Sequence, residues 1–250
     1  MELPLKNLDL KLNSNLDANI LKATYSTNKT IVIENFLDDR SANGLYEFYT
    51  QHMPNDWWYM SYSGVLPAMK MDRLDEDYIK DTDSIKAIYD MHYQKMAENQ
   101  FSYIFNRTTN HFPACACGHC QYIQFMKSPK VLELLSYITE QSYTELGEFF
   151  ASEFTPGQFL SKHHDREKGK VSTVYSLSKD WDPSFGGNLY ILNDDWKTIE
   201  TVVQSGFNRL NLIDIPGGDD GWGKPHFVSQ VATDVTKRRL SITGWIYYIT

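Results

Sequence analysis

A chain of 250 residues is long enough to bury one substantial core, and one domain is the expectation. Its hydrophobic share of 42%, charged share of 22% and net charge of −8 describe an ordinary globular protein and exclude a large basic face, so no nucleic-acid partner is expected. No apolar run reaches the ~18 residues of a membrane helix, and Met1 to Lys6 lacks the basic-then-apolar order of an export signal. The three cysteines all fall between Cys115 and Cys120, which excludes a dispersed disulfide framework; a reducing, cytoplasmic setting is the expectation. The 14% aromatic share favours β-rich structure and a lined pocket.

In chain order, residues 1–30 are polar, rich in Asn, Leu and Lys, and read as an arm over the surface. Ile31 to Phe36 is a short strand. Asp38 to His52 is predicted helical, with Leu45, Phe48 and Tyr49 on one face. Pro54 to Ala68 is aromatic and irregular, a loop that either lines the substrate entrance or packs on the core. Asp83 to Gln100 carries Ile85, Ile88, Tyr89, His92 and Met96 at helical spacing, which makes His92 a core or boundary residue rather than a ligand. Ser128-Pro129 opens a further helix, with Ser at the N-cap and Pro in the first turn, ahead of Val131, Leu132, Leu134, Leu135 and Ile138. Residues 31–145 thus form a helix-rich support.

From residue 146 the pattern turns to short strands: Gly147–Phe154, Phe159–His164, Val171–Leu177, Asn188–Leu192, Thr201–Val203, Asn208–Ile215, His226–Val231 and Leu240–Ile249. Short strands punctuated by Gly, Pro and Asp predict a mainly β, α+β protein. Its core would be a jelly roll, the double-stranded β-helix of cupin-like proteins, with the front helices packed on one sheet. Gly186-Gly187 is a tight turn that brings a strand close to its neighbour; no helix follows, so it is not a phosphate loop. The loop from Pro216 to Gly221 precedes His226 as a candidate lip over the site, and the sequence leaves open whether segments 54–68 and 216–224 close over it.

Chemistry gathers at His163-His164-Asp165. At strand periodicity residues i and i+2 share a face, so His163 and Asp165 converge and His164 points away. An imidazole beside a carboxylate is two thirds of a 2-His-1-carboxylate triad, which holds Fe(II) and leaves positions open for substrate and oxygen. His226, on a returning strand, is the expected third ligand. In Lys237-Arg238-Arg239-Leu240-Ser241-Ile242-Thr243-Gly244-Trp245 the alternation puts Arg239, Ser241 and Thr243 on one face, while Arg238 faces the opposite way and is expected to be solvated. A guanidinium fork with a hydroxyl two residues on suits a carboxylate. Trp245 either walls the pocket or belongs to the core. Cys115-Ala116-Cys117-Gly118-His119-Cys120 crowds its donors, whereas structural zinc sites draw ligands from two separated pairs. It reads as reduced, oxidation-prone thiols before a strand.

These blocks resemble the iron(II)/2-oxoglutarate-dependent dioxygenases, in particular the prolyl 4-hydroxylase-like branch. The likeness runs through Thr155-Pro156-Gly157, His163-His164-Asp165, Leu177-Ser178-Lys179-Asp180-Trp181 and Gly186-Gly187-Asn188-Leu189. It ends in His226-Phe227-Val228 and Arg239 to Trp245, with Ile31 to Leu37 similar to the branch's entry strand. The resemblance implies Fe(II) on His163, Asp165 and His226, and Arg239 with Ser241 on the distal carboxylate of 2-oxoglutarate. It also implies O₂ as co-reactant, ascorbate as a reductant, and succinate and CO₂ as products. A prolyl residue in a peptide or protein is the implied substrate, with a free amino acid or other small molecule as the alternative. Where the branch often has a tyrosine for that carboxylate this chain has Ser176, so Ser176, a water or another tyrosine such as Tyr122 completes the site. Two rivals use the same residues differently: a cupin-type metal enzyme without 2-oxoglutarate, and a non-catalytic binding module.

Overall fold

Strands β7 (Val171–Leu177) and β12 (Arg239–Tyr247) carry residues buried on both faces, so the sheet they share must be covered on both. The computed structural model shows how, over residues 8–63, 71–72, 82–108, 115–143, 145–165, 169–215 and 223–247. The other strands are β1 (Thr30–Glu34), β2 (Trp58–Tyr62), β3 (Met71–Asp72), β4 (Tyr103–Thr108), β5 (Glu145–Phe154), β6 (Phe159–His163), β8 (Leu189–Leu192), β9 (Ile199–Val203), β10 (Phe207–Asp214) and β11 (His226–Val228). Their pairing runs β1-β10-β7-β12-β5-β4-β6-β11-β8-β9, with β2 on β4 and β3 on β2. Side chains from β5, β7, β10 and β12 line the same cavity as side chains from β6, β8 and β11, so the sheet curls onto itself as a jelly roll.

Alternation divides the apolar residues between two cores. Tyr175, Leu177, Leu210, Leu212, Leu240 and Ile242 face the helices. Phe105, Phe150, Phe154, Leu189, Val228 and Trp245 fill the inside of the roll. The helices on the outer face are α1 (Ala18–Asn28), α2 (Asp39–Glu47), α4 (Gly118–Met126) and α5 (Pro129–Thr139), while α3 (Thr82–Ala97) meets β4. Three of these helix starts have a local cause. Asp17 accepts from the N–H groups of Asn19 and Ile20 at 3.0 and 3.2 Å, Asp38 accepts from Ser41 N–H at 2.7 Å, and Pro129 occupies the first turn of α5.

Several elements differ from the sequence reading. The expected arm at 1–30 contains α1, which packs on α5 through the Tyr137–Asn19 hydrogen bond of 2.6 Å and the Lys22–Glu140 pair of 2.7 Å. Its apolar residues are too few to show a period. The helix expected over 38–52 is α-helical only through Glu47 and closes in a π-turn over Phe48–His52. The cysteine cluster precedes helix α4 rather than a strand. Within the aromatic loop, Trp58–Tyr62 is strand, because it pairs with β4. Parts of both candidate closing segments, 64–68 and 216–222, lie outside the described residues. Gly186, at φ 72°, makes the expected tight turn, where an added Cβ would stand 2.1 Å from the Gln230 carbonyl.

Two buried polar groups tie the layers together. Asn208, in left-handed conformation at φ 59°, sits at the irregularity between Phe207 and Arg209. Its Oδ1 accepts from Leu37 N–H at 2.9 Å and the Tyr175 hydroxyl at 2.8 Å, and its amide donates to the Leu37 carbonyl at 2.8 Å. Asn208→Ala strands all three groups, and chemical denaturation should show a loss of about 3 kcal/mol. His92 is buried on α3 with its Nδ1 2.9 Å from the Ser102 hydroxyl. Burial lowers its pKa from 6.5 to about 4, with the nearby Lys95 charge adding to the effect. The folded state therefore keeps His92 neutral. This contribution to stability is complete above pH 6.5 and lost as pH falls towards 4. His92→Phe should flatten that part of the stability–pH profile measured by urea unfolding.

Candidate active site

The inner end of β6 pairs with β11 so that His163 stands directly opposite His226. Their ring centroids are 4.3 Å apart, and Asp165, just beyond β6, closes the group. His163 Nε2 lies 3.7 Å from Asp165 Oδ1 and His226 Nε2 lies 3.8 Å from Asp165 Oδ2. All three offer ligand atoms within 4.8 Å of one another.

The orientation of each imidazole follows from its own strand. His163 Nδ1 meets the Ser161 carbonyl at 3.0 Å, and His226 Nδ1 meets the Lys224 carbonyl at 2.8 Å. A carbonyl only accepts, so each Nδ1 carries the proton and each Nε2 turns a lone pair towards Asp165. Asp165 is itself 4% exposed and accepts from Trp245 Nε1–H at 3.0 Å through Oδ2. Two imidazole lone pairs and a fixed carboxylate on one side of a cavity are a donor set for Fe(II). His164 points away and meets the edge of Trp196, with ring centroids 5.6 Å apart.

The cavity beside the triad measures about 160 Å³. Arg239, from β12, projects into it and is only 4% exposed. Its Nη1 donates to Ser241 Oγ at 3.1 Å, and its guanidinium carbon stands 5.0 Å from the centre of the Phe154 ring. Its Nε–H is buried with no acceptor, and no carboxylate pairs with it among the described residues. Desolvation lowers its pKa from 12.5 to about 10, so it remains a cation at neutral pH. A buried cation with an unused donor fits a carboxylate ligand, and Ser241 adds a hydroxyl that is itself 2.9 Å from Ser152 Oγ.

Trp245 lines the cavity and belongs to the inner core, so it fills both roles considered for it. Two other residues are placed elsewhere. Ser176 shares the inward face of β7 with Ser172 and Val174, yet its hydroxyl donates to the Gly206 carbonyl at 2.7 Å and accepts Gly206 N–H at 3.1 Å. Tyr122 lies on α4 in the helix-side core, its ring stacked on Tyr175 at 5.3 Å. The tyrosine on the cavity wall is Tyr103, from β4. Arg238 does face the opposite way from Arg239 and is exposed, and it also pairs with the buried Glu153 at 3.0 Å.

The sequence reading also missed Ser152, Phe105, Arg107 and Glu148, which line the cavity. Arg107 pairs with Glu148, lies 3.8 Å from the centre of the Phe150 ring, and keeps a buried Nε–H without an acceptor. The alternation Tyr103-Ile104-Phe105 was the available signal for β4.

Residues 149–247, which carry the triad and Arg239, match the sequence model of the 2OG-Fe(II) oxygenase superfamily. Over this segment, less than half of the chain, the protein is similar to that superfamily, whose oxygenases use Fe(II), 2-oxoglutarate and O₂. No curated protein matches the chain by sequence. Among solved structures it resembles a 2OG-Fe(II) oxygenase family oxidoreductase from Burkholderia pseudomallei, at 10% identity and TM-score 0.59, over 95% of this chain and 93% of that one. It also resembles a Trichoplax adhaerens prolyl hydroxylase in complex with a hypoxia inducible factor oxygen degradation domain peptide fragment. That match has 16% identity and TM-score 0.56, over 92% and 88% of the two chains. A third resemblance is to the non-heme alpha ketoglutarate dependent epimerase SnoN from nogalamycin biosynthesis, at 11% identity and TM-score 0.51, over 91% and 80%. At these identities the structural likeness establishes the fold. No helix among the described residues is long and apolar enough to cross a membrane.

The Trp245–Asp165 hydrogen bond gives a direct test of site geometry. Trp245→Phe keeps the aromatic wall and releases Asp165 Oδ2, and should weaken Fe(II) or Co(II) binding by about 10–100-fold in a metal titration while leaving the fold intact by circular dichroism.

Proposed function

We propose that this oxygenase hydroxylates a prolyl residue in a peptide or protein, converting 2-oxoglutarate to succinate and CO₂. The observation that carries the cosubstrate assignment is the buried Arg239, whose Nε–H lacks an acceptor in the same cavity as the triad. In this reading His163, Asp165 and His226 hold Fe(II), and Trp245 fixes the Asp165 carboxylate. Arg239, Ser241 and Ser152 hold the distal carboxylate of 2-oxoglutarate, and ascorbate serves as reductant. When bound, Fe(II) with 2-oxoglutarate and O₂ supplies the oxidising power. The protein orients the partners and keeps water out with a wall built from Phe105, Phe150, Phe154 and Trp245.

The cavity wall on β4 favours a peptide over a free amino acid. Arg107 and Glu148 already neutralise one another, so neither offers the isolated charge that an amino acid's carboxylate or ammonium requires. What remains is the single Nε–H of Arg107, matched to a neutral carbonyl such as a peptide bond. Beside it, Tyr103 and Phe105 offer an apolar face to a pyrrolidine ring. The Trichoplax fold relative, solved with a peptide fragment, is consistent with this choice.

Incubation with Fe(II), 2-oxoglutarate and O₂ should release succinate in step with a prolyl peptide gaining one oxygen atom, and His163→Ala should abolish both. If succinate release is coupled only to free amino acids or other small molecules, the small-molecule alternative replaces the peptide reading. Arg239→Ala should raise the 2-oxoglutarate requirement by about 100-fold, in line with losing one partner of a buried charge pair. Unchanged dependence would favour a cupin-type enzyme that does not use the cosubstrate.

A further inference from the structure

The helix-side core contains a second cluster of ligand-bearing residues that the oxygenase chemistry does not use. Cys115, Cys117 and Cys120 form no disulfide, and their sulfurs all lie within 4.8 Å of one another. Local backbone geometry produces this convergence. Cys117 is the extended N-cap residue of α4, and its sulfur takes the Cys120 N–H at 3.5 Å as the first turn brings that residue back over the cap. His119 turns away into the core, where its Nδ1 meets the Tyr49 hydroxyl at 2.5 Å. The crowding that argued against a metal in the sequence therefore disappears: the three sulfurs converge and the imidazole leaves.

One tetrahedral ion with metal–sulfur bonds of about 2.3 Å holds its sulfurs about 3.8 Å apart, so this triangle needs only a small closure. We propose that Cys115, Cys117 and Cys120 form a second metal site, a three-thiolate cradle for one soft, thiophilic ion such as Zn²⁺. Cys117 is 2% exposed and forms the inner corner, while the partly exposed Cys115 and Cys120 give access from the surface and leave a fourth position for water. Each thiol releases its proton to solvent on binding. A disulfide between Cys117 and Cys120 would use two of these sulfurs and leave Cys115 unexplained; a metal uses all three. The bound ion would clamp residues 115–117 to α4, the helix whose Tyr122 stacks on Tyr175 of the central sheet.

The test uses reduced, metal-stripped full chain carrying His163→Ala, which weakens the first site, and Cd²⁺ as probe. The first site offers only nitrogen and oxygen donors, so a thiolate-to-cadmium ultraviolet band reports the second site alone. The expected result is a band that saturates at one equivalent, with Zn²⁺ competing for it and protecting all three cysteines from iodoacetamide by mass spectrometry. Cys115→Ser and Cys120→Ser, both at partly exposed positions, should each weaken binding at least about tenfold, the smaller effect expected even of an outer partner at a metal site. Absence of the band, a band unchanged in both variants, or full alkylation in the presence of Zn²⁺ overturns the proposal. So does a Cys117–Cys120 disulfide that forms with glutathione disulfide despite bound Zn²⁺, which would make the cluster a dithiol pair.

Discussion

Strand β12 is enclosed on both faces, between the helix layer and the interior of the roll, and this constraint sets the character of the site. Its even-numbered residues Leu240, Ile242 and Ile246 complete the helix-side core, and its odd-numbered residues Arg239, Thr243 and Trp245 line the cavity, with Ser241 in the same phase. A slip of one residue in register would exchange the two sets, burying the guanidinium against the helices and turning leucine and isoleucine towards the iron ligands. Pairing on both sides, with β5 and β7, prevents that slip.

The same enclosure makes Arg239 costly to keep. Removing a guanidinium from water carries a penalty of several kcal/mol unless a counter-charge is present. Ser241 and the Phe154 ring offset part of it, at 3.1 and 5.0 Å. A dianionic cosubstrate would complete the compensation, so the electrostatic demand of Arg239 would also be a means of selecting a ligand. Stability and function oppose each other here, and the apolar packing of two cores carries the difference.

What was legible in the sequence follows the range of the interactions involved. His163 and Asp165 are two residues apart, and strand period suggests the convergence of their side chains even though Asp165 lies just beyond the end of β6. The alternation along Arg239 to Trp245 was equally readable, as were the jelly roll and the helix opened by Ser128-Pro129. Tyr122 was offered for the site because the residue type was right, but only the three-dimensional path of α4 shows that it faces the other core. Ser176 was in phase with the inner face, and its hydroxyl was claimed by Gly206, a contact across 30 residues. Strand β4 was overlooked because its six residues are short and flanked by irregular chain, although it joins β5 to β6 and supplies Tyr103, Phe105 and Arg107. Local period pointed to the candidate ligands; the walls depended on tertiary pairing.

The candidate metal ligands are held by two kinds of contact. Each histidine is oriented by a carbonyl two residues upstream, from Ser161 for His163 and from Lys224 for His226, so extended backbone alone sets its tautomer and direction. Asp165 is different: the Trp245 indole that fixes its Oδ2 lies 80 residues away in sequence. Trp245 stands on β12 with Arg239, so the strand that fixes the Asp165 carboxylate also fixes the guanidinium proposed to hold 2-oxoglutarate. In that reading, iron position and cosubstrate position would be referred to one rigid element. A chelating cosubstrate that must reach both ends of the cavity at once requires that common reference, and a strand paired on both sides supplies it with less freedom than two loops could.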